Sequence, residues 1–219
     1  MKAQKGKPIP EIVTESYKLG NGEKKTRQYR IGNKLGEGAF ATCYEITDME
    51  KNIKYACKLV VKASLGRTHS KQKLMNEIKV HRSLNNQYVC RIVHFFDDDD
   101  NIYIILELCA EGTLESLLKV RKRLHTLEVQ FFTYHIAKTL QYFLSEKVIH
   151  RDLKLGNLLL NHHLDLKIVD FGLAVRLESN DELRKTICGT PNYIAPEVIQ
   201  GHVGHSFGAD IWSLGVIIY

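Results

Sequence analysis

Residues 150–157 read His-Arg-Asp-Leu-Lys-Leu-Gly-Asn, and this stretch constrains the chain more than any other. It sets a carboxylate, an ammonium and a side-chain amide at fixed offsets in one short loop. Asp152 is suited to take a proton from a hydroxyl nucleophile. Lys154, two residues on, is suited to neutralise a phosphoryl oxygen. Asn157 offers a carbonyl oxygen to a hard cation. The run Leu158-Leu159-Leu160, a polar turn and Leu166-Lys167-Ile168-Val169 then lead into Asp170-Phe171-Gly172. That order predicts two short strands delivering a second carboxylate to the same place. Each tripeptide alone is an ordinary turn, and the bland alternative is a buried Asp capping a turn with an Asn in a loop. The joint spacing is what carries information.

The chain has 219 residues, room for one large domain or two lobes. It is 44% hydrophobic and 26% charged, which permits both a core and a solvated surface. No apolar run is long enough to span a membrane, and the basic residues at 2–7 have no apolar stretch behind them, so a secretory signal is not expected. The net charge of +6 reads as a mildly basic surface, since no basic stripe with interleaved aromatics accompanies it; neither nucleic acid nor membrane is expected as a partner. The basic run at 119–125 reads as a solvated helix end or loop, with a localisation signal or substrate contact as the alternative. Cys43, Cys57, Cys90, Cys109 and Cys188 are scattered, with no CxxC. Neither a disulfide framework nor a zinc site is expected, and reduced thiols fit a cytoplasmic or nuclear setting.

Residues 1–28 are polar and carry Pro8, Pro10, Gly20 and Gly22; they are expected to be an extension without a fold of its own. Alternation begins at Tyr29 and predicts a strand to Leu35, a second over 42–46 and a third over 54–61, with a Lys51-Asn52 turn suggesting an antiparallel meander. Leu74 and Ile78 predict a helix over 70–84, with Glu77 beside them. Two strands follow, 91–96 and 102–108, joined by four aspartates at 97–100 that read as a solvated turn. Beyond Gly112 the pattern turns helical: a short helix over 114–119, then a long one from a Thr126 cap to about Ser145, with Phe132, Ile136, Leu140 and Phe143 as its core stripe. The fold class expected is α+β in two lobes with a cleft between them: an antiparallel-sheet N-lobe with one helix (about 29–109) and a mainly helical C-lobe (about 110–219).

Gly36-Glu37-Gly38-Ala39-Phe40-Ala41 sits between two predicted strands. A dinucleotide fingerprint needs a strand, a glycine loop and a helix, and a Walker A loop needs Gly-Lys-Ser/Thr; neither is present. What remains is a flap whose backbone N–H groups can close over phosphates, where glycine permits close approach. Lys58 lies inside the apolar strand Tyr55-Ala56-Cys57-Lys58-Leu59-Val60. An ammonium there needs a partner, and Glu77 is the expected one. Glu107 to Cys109 end the fifth strand, where backbone groups suit an adenine edge, with Leu106 gating the space behind.

With these residues assembled, residues 30–219 resemble the eukaryotic protein kinases. The carriers are His150 to Asn157, Asp170-Phe171-Gly172, Gly189-Thr190-Pro191, Ala195-Pro196-Glu197 and Asp210 to Gly215. Lys154, Gly189-Thr190-Pro191 and Ala195-Pro196-Glu197 look like the serine/threonine branch. Residues 40–48 (FATCYEITD), 78–84 (IKVHRSL), 106–109 (LELC), 150–157 (HRDLKLGN) and 186–197 (TICGTPNYIAPE) are similar to the polo-like kinases, including Ala41 for the third glycine and Cys43 where most kinases carry Val. The resemblance implies ATP and Mg²⁺ as cofactors. It implies Asp152 as base, Lys154 as partner of the γ-phosphoryl group, and Lys58 with Glu77 on the α- and β-phosphates. The nucleotide would lie against Leu35, Gly36, Glu37, Gly38, Ala39, Phe40, Ala41, Cys43, Ala56, Lys58, Glu107 and Cys109, and Asn157 and Asp170 would hold the metal. Thr186 would be the activation-loop phosphosite of an upstream kinase, with Arg151 pairing its phosphate. Substrates would be protein Ser/Thr in acidic context, and the setting cell division at centrosome, spindle and nucleus.

The family pattern continues for several helices beyond Tyr219 and includes an Arg that pairs with Glu197. The resemblance therefore implies an incomplete C-lobe, with reduced stability and weak or no activity for these residues alone. A truncated, non-catalytic nucleotide-binding or decoy module is the alternative.

Overall fold

The alternating segments of the first half form one antiparallel sheet of six strands. They are β1 (Ile12–Lys18), β2 (Lys24–Glu37), β3 (Thr42–Asp48), β4 (Ile53–Val61), β5 (Ile92–Asp97) and β6 (Asn101–Leu106), in the order β1-β2-β3-β4-β6-β5. This computed structural model describes residues 9–38, 41–66 and 68–219, with 68 and 69 described by backbone alone. The chain divides into two units: Met1–Gly66 with Ile92–Leu108, and Arg67–Arg91 with Cys109–Tyr219.

In the first unit the sheet buries one face around Val13, Tyr29, Ile46, Cys57, Leu59, Tyr103 and Ile105. Cys57 and Leu59 alternate on β4 and Tyr103 and Ile105 on β6, the period-two pattern of a half-buried sheet. Asn52 turns the chain between β3 and β4 with φ +53°, and the Asp48 carboxylate accepts the N–H groups of Glu50 and Lys51 at 3.0 Å each.

The expected unfolded extension fails over residues 12–28. β1 pairs along its whole length with the first half of β2, from Ile12 opposite Arg30 to Lys18 opposite Lys24. Val13, Glu15 and Tyr17 point to the covered face, and Val13 is buried. The acid that interrupts this face is satisfied from far along the chain: Glu15 Oε2 lies 3.1 Å from His94 Nε2 and accepts from the Tyr29 hydroxyl at 3.3 Å. Because β1 and β5 stand at opposite ends of the strand order, this contact curls the sheet until its two edges meet. The run of aspartates is more than a solvated turn. Asp98 Oδ1 accepts the N–H groups of Asp100 and Asn101, and Oδ2 accepts the Tyr103 hydroxyl at 2.7 Å. Burial alone would raise the Asp98 pKa, but these donors, Tyr103 foremost, bring it below the ordinary value.

The second unit contains α1 (Thr68–Ser83), α2 (Leu114–Arg121), α3 (Thr126–Ser145), β7 (Val148–Ile149), β8 (Leu158–Leu160), β9 (Leu166–Ile168), β10 (Val175–Arg176), α4 (Pro196–Gln200) and α5 (Gly208–Ile218). β8 and β9 are the two short strands expected there, and they pair antiparallel with Leu158 opposite Ile168, while β7 pairs with β10. Ile136, Leu140 and Phe143 of α3 pack with Leu158, Leu160, Leu166, Ile168 and Phe171 in one core, with Phe132 at its margin. The cap of α3 is His125, not the predicted Thr126. Its Nδ1 accepts the Leu127 N–H at 3.3 Å, while Glu128 reaches back to the His125 N–H at 2.8 Å. This is a capping box with an imidazole in the usual hydroxyl's place. Arg121, in the basic run, ends α2 and pairs both guanidinium amino groups with Glu128.

Candidate active site

β7 and α5 together hold the catalytic loop. The Asp210 carboxylate, buried at the start of α5, accepts the backbone N–H of His150 at 2.7 Å and of Arg151 at 2.8 Å. Burial pushes the Asp210 carboxyl above the ordinary range, against the pull of His150 and of these two N–H groups. The His150 ring is fixed at both nitrogens. Nδ1 accepts the Asp152 N–H at 3.3 Å, so Nε2 carries the proton and donates to the Val169 carbonyl at 3.0 Å. Arg151 has φ +67° and Asp170 has φ +65°. Both are left-handed conformations that a residue with a Cβ holds only when its surroundings overdetermine it. At Arg151 the restraint is Asp210; at Asp170 it is the neighbouring Phe171, fully buried against the rings of His81, His150 and Phe143.

Asp152, Lys154 and Asn157 do converge. Lys154 Nζ donates to Asp152 Oδ2 at 2.9 Å. Asn157 Nδ2 donates to the Asp152 carbonyl at 2.8 Å and to Oδ2 at 3.2 Å. Thr190 joins them: its hydroxyl donates to Asp152 Oδ1 at 2.7 Å and accepts from Lys154 Nζ at 2.8 Å. Sequence reasoning used Gly189-Thr190-Pro191 only as a branch marker and missed this contact. It equally missed Asp210 as the anchor of the loop, reading it only as the start of a helix. A carboxylate opening an otherwise apolar helix was the available signal.

Asn157 and Asp170 are brought to one place by the β8–β9 pair. The Val169 N–H donates to the Asn157 carbonyl at 3.0 Å, which sets Asn157 across from the residue preceding Asp170. Since the Asn157 amino group is committed to Asp152, its Oδ1 is the atom turned elsewhere, an oxygen donor of the kind Mg²⁺ takes. Glu77 on α1 lies nearby: a Cβ at Gly172 would meet Asp170 Oδ1 at 3.2 Å and Glu77 Oε2 at 3.5 Å. Among the described residues no cluster of three or more His, Cys, Asp or Glu side chains forms a ready cation cage. One amide and one carboxylate fit Mg²⁺, which is commonly held by one or two carboxylates together with substrate phosphates.

The expected nucleotide residues of the first unit lie on β2, β3, β4 and the end of β6. Leu35, Gly36 and Glu37 end β2, after irregular register between Ile31 and Gly36. Gly38 N–H donates to the Ala41 carbonyl at 2.8 Å; Ala39 and Phe40 lie outside the described residues. Lys58 is in mid-β4, opposite Cys43 on β3 and Ile104 on β6, and Ala56 is opposite Leu106. Glu107 follows β6 and Cys109 is buried in the second unit.

Thr186 is exposed. Arg151 donates from Nε to the Leu173 carbonyl at 2.8 Å, and its terminal amino groups have no hydrogen-bond partner among the described residues. The segment reaches the catalytic loop at Gly189, whose φ is +115° and where a Cβ would stand 2.9 Å from the Arg151 carbonyl oxygen; no larger residue fits.

Comparison with known proteins agrees with this geometry. The protein kinase domain family model matches residues 29–219. The chain is 52% identical over 208 residues to the probable serine/threonine-protein kinase CCRP1 of Zea mays, covering 95% of this chain and 33% of that protein. It is 50% identical over 194 residues to the cell cycle serine/threonine-protein kinase CDC5/MSD2 of Saccharomyces cerevisiae, covering 88% and 27%. It is 46% identical over 213 residues to the serine/threonine-protein kinase PLK1 of Xenopus laevis, covering 97% and 34%. The chain thus spans about a third or less of these relatives' length. No helix among the described residues is long and apolar enough to cross a membrane. The chain belongs to the protein kinase domain family, in its polo-like serine/threonine branch.

Proposed function

We propose that this chain transfers the γ-phosphoryl group of Mg-ATP to Ser and Thr hydroxyls of proteins, in the control of cell division. The observation that carries the reading is the Asp152 carboxylate, which accepts a hydroxyl from Thr190 at 2.7 Å and an ammonium from Lys154 at 2.9 Å. A substrate hydroxyl presents the same donor. Asp152 orients it and takes its proton; its oxygen bonds to the γ-phosphorus; the bond to the bridging oxygen breaks and ADP leaves with the electron pair. Lys154 offsets charge on the transferred group. Catalysis of this kind is largely positioning and charge neutralisation. Asn157 and Asp170 would hold Mg²⁺, which when bound would supply charge neutralisation for the phosphates.

In the same reading, Lys58, with Glu77 as its carboxylate partner, holds the α- and β-phosphates. The nucleotide lies along residues 35–41, Cys43, Ala56, Glu107 and Cys109. Phosphate added to Thr186 by an upstream kinase draws in Arg151, and the substrates are acidic in context. The cell-cycle name of the yeast relative supports the division role; a place in cytoplasm or nucleus, at centrosome or spindle, belongs to the same proposal. The non-catalytic decoy has no support from the relatives, each of which is named a serine/threonine kinase.

The test is a thermal melt with and without Mg-ATP, alongside Asp170→Asn, followed by transfer to acidic Ser/Thr peptides. Binding to the folded state raises stability by RT ln(1 + [L]/Kd). A Mg²⁺-dependent rise that Asp170→Asn loses, with transfer, is the expected result. No rise and no transfer would end the reading.

A further inference from the structure

Six buried side-chain nitrogen and oxygen atoms lack a hydrogen-bond partner among the described residues, and four of them belong to one backbone bridge and its neighbour: Nε of Arg184, both ring nitrogens of His205 and Oγ of Ser206. Buried polar atoms are nearly always paired, so a cluster of exceptions asks for an explanation. His205 is 2% exposed. Its backbone is locked to Arg184 in both directions, Arg184 N–H to the His205 carbonyl at 2.9 Å and His205 N–H to the Arg184 carbonyl at 2.8 Å. His205 lines a cavity of about 10 Å³, about one water, shared with Arg151, Asp152, Cys188, Thr190 and Ser213. One residue thus holds the activation segment by its backbone and shares a cavity with the catalytic loop.

Charge makes the arrangement proton-sensitive. The groups on the elements packed here are Arg151 and Asp152 on the catalytic loop, Cys188 and Arg184 on the activation segment, the latter paired through Nη2 with Glu182 at 2.7 Å, Glu197 on α4 and Asp210 on α5. Burial, then the nearby Arg151, lower the His205 pKa from 6.5, while Glu197 pulls the other way. Burial lowers the Arg151 pKa, Cys188 opposes that, and the neighbouring Arg184 cation lowers it further.

We infer that His205 is a positioning residue for the activation segment and an acid-sensitive latch. Neutral, it holds residues 184–190 against the catalytic loop; protonated, it sets a third cation beside Arg151 and Arg184 and releases Thr190 from Asp152. A folded pKa below 6.5 means that the unfolded segment takes up the proton first. The latch is therefore complete above about pH 6.5 and is lost as pH falls through and below that value, by up to about tenfold per pH unit.

The activity arm of the test rests on the phosphotransfer reading; the exchange arm does not. Amide hydrogen exchange at Arg184 and His205 of the intact protein, corrected for intrinsic rate, is followed from pH 7.5 to 5.5 in wild type and His205→Gln. The expected result is a fall in protection in wild type and a flat profile in the variant. Peptide phosphorylation should lose kcat over the same range with the ATP KM steady, and His205→Gln should remove that acid limb. Wild-type protection that does not change, or an identical fall in the variant, overturns the latch. Should His205→Gln fail to fold, the wild-type ring titration by NMR decides: a midpoint at or above 6.5 overturns the inference and a lower one supports it. Exchange behaving as expected with no transfer at any pH would support the latch while ending the kinase reading.

Discussion

The Asp210 carboxylate holds the backbone N–H of Arg151 at 2.8 Å, and Arg151 is the catalytic-loop residue with φ +67°. A strained backbone is therefore fixed by a buried acceptor on another element. Asp210→Ala would strand two buried N–H groups, those of His150 and Arg151, at roughly 1–3 kcal/mol each. The expected outcome is a loss of about 2–6 kcal/mol in a denaturant melt, with transfer falling further than stability explains, because the loop relaxes. A variant as stable as wild type would show that the contact does not anchor the loop.

Asp152→Asn keeps the shape of the loop and removes the proton acceptor. Turnover should fall by on the order of 10²–10⁴, while the Mg-ATP-dependent rise in melting temperature persists. Turnover near wild type would exclude Asp152 as the base.

Thr190 tests a contact visible only in the fold. Thr190→Val removes the hydroxyl between Asp152 and Lys154, and hydrogen bonds to charged groups are worth about 1.5–3 kcal/mol. We expect kcat to drop roughly ten- to a hundredfold, the ATP KM to stay within about twofold, and Thr190→Ser to recover most of the loss. Equal kcat in the Val and Ser variants would rule the hydroxyl out.

Thr186→Val should abolish activation by an upstream kinase. Arg151→Lys should blunt it, since the planar fork of Arg pairs with phosphate bidentately and Lys does not. The measurement is transfer rate before and after treatment with the activating kinase. A Thr186→Val protein as active as phosphorylated wild type would contradict the assignment.

Two variants test the hairpin of β1 and β2. Val13 is 6% exposed, and Val13→Ala should cost about 1–2 kcal/mol. Glu15→Gln should weaken the link to His94 and loosen the meeting of the sheet edges, read as faster amide exchange in β1 and β5. A dispensable tail would show neither effect. On the same sheet, burial pushes the Cys57 thiol up to about 12, so its thiolate is scarce at pH 8 and it should resist alkylation until the sheet unfolds. The raised folded value also means that the sheet loses stability as pH climbs from about 9 toward 12.

The catalytic loop was legible because its chemistry lies within eight consecutive residues, where spacing alone dictates which side chains can meet. The β8–β9 pair and the α3 core stripe were legible for the same reason: period and turn chemistry are local properties of the chain. Other parts were settled by contacts between segments far apart in sequence. β1 carries an acid in the middle of its covered face, which reads as solvent-exposed until His94, 79 positions away, supplies its partner. His150 and Asp210 are 60 apart, and Thr190 and Asp152 are 38 apart. No local pattern records that such pairs will meet, since that depends on how the core packs the elements that carry them. Sequence alone thus determined which chemical groups the loop offers and how they are spaced. Tertiary packing decided what anchors that loop, what occupies its base and which part of the N-terminal stretch is folded, because burying polar groups is tolerable only where the fold brings their partners to them.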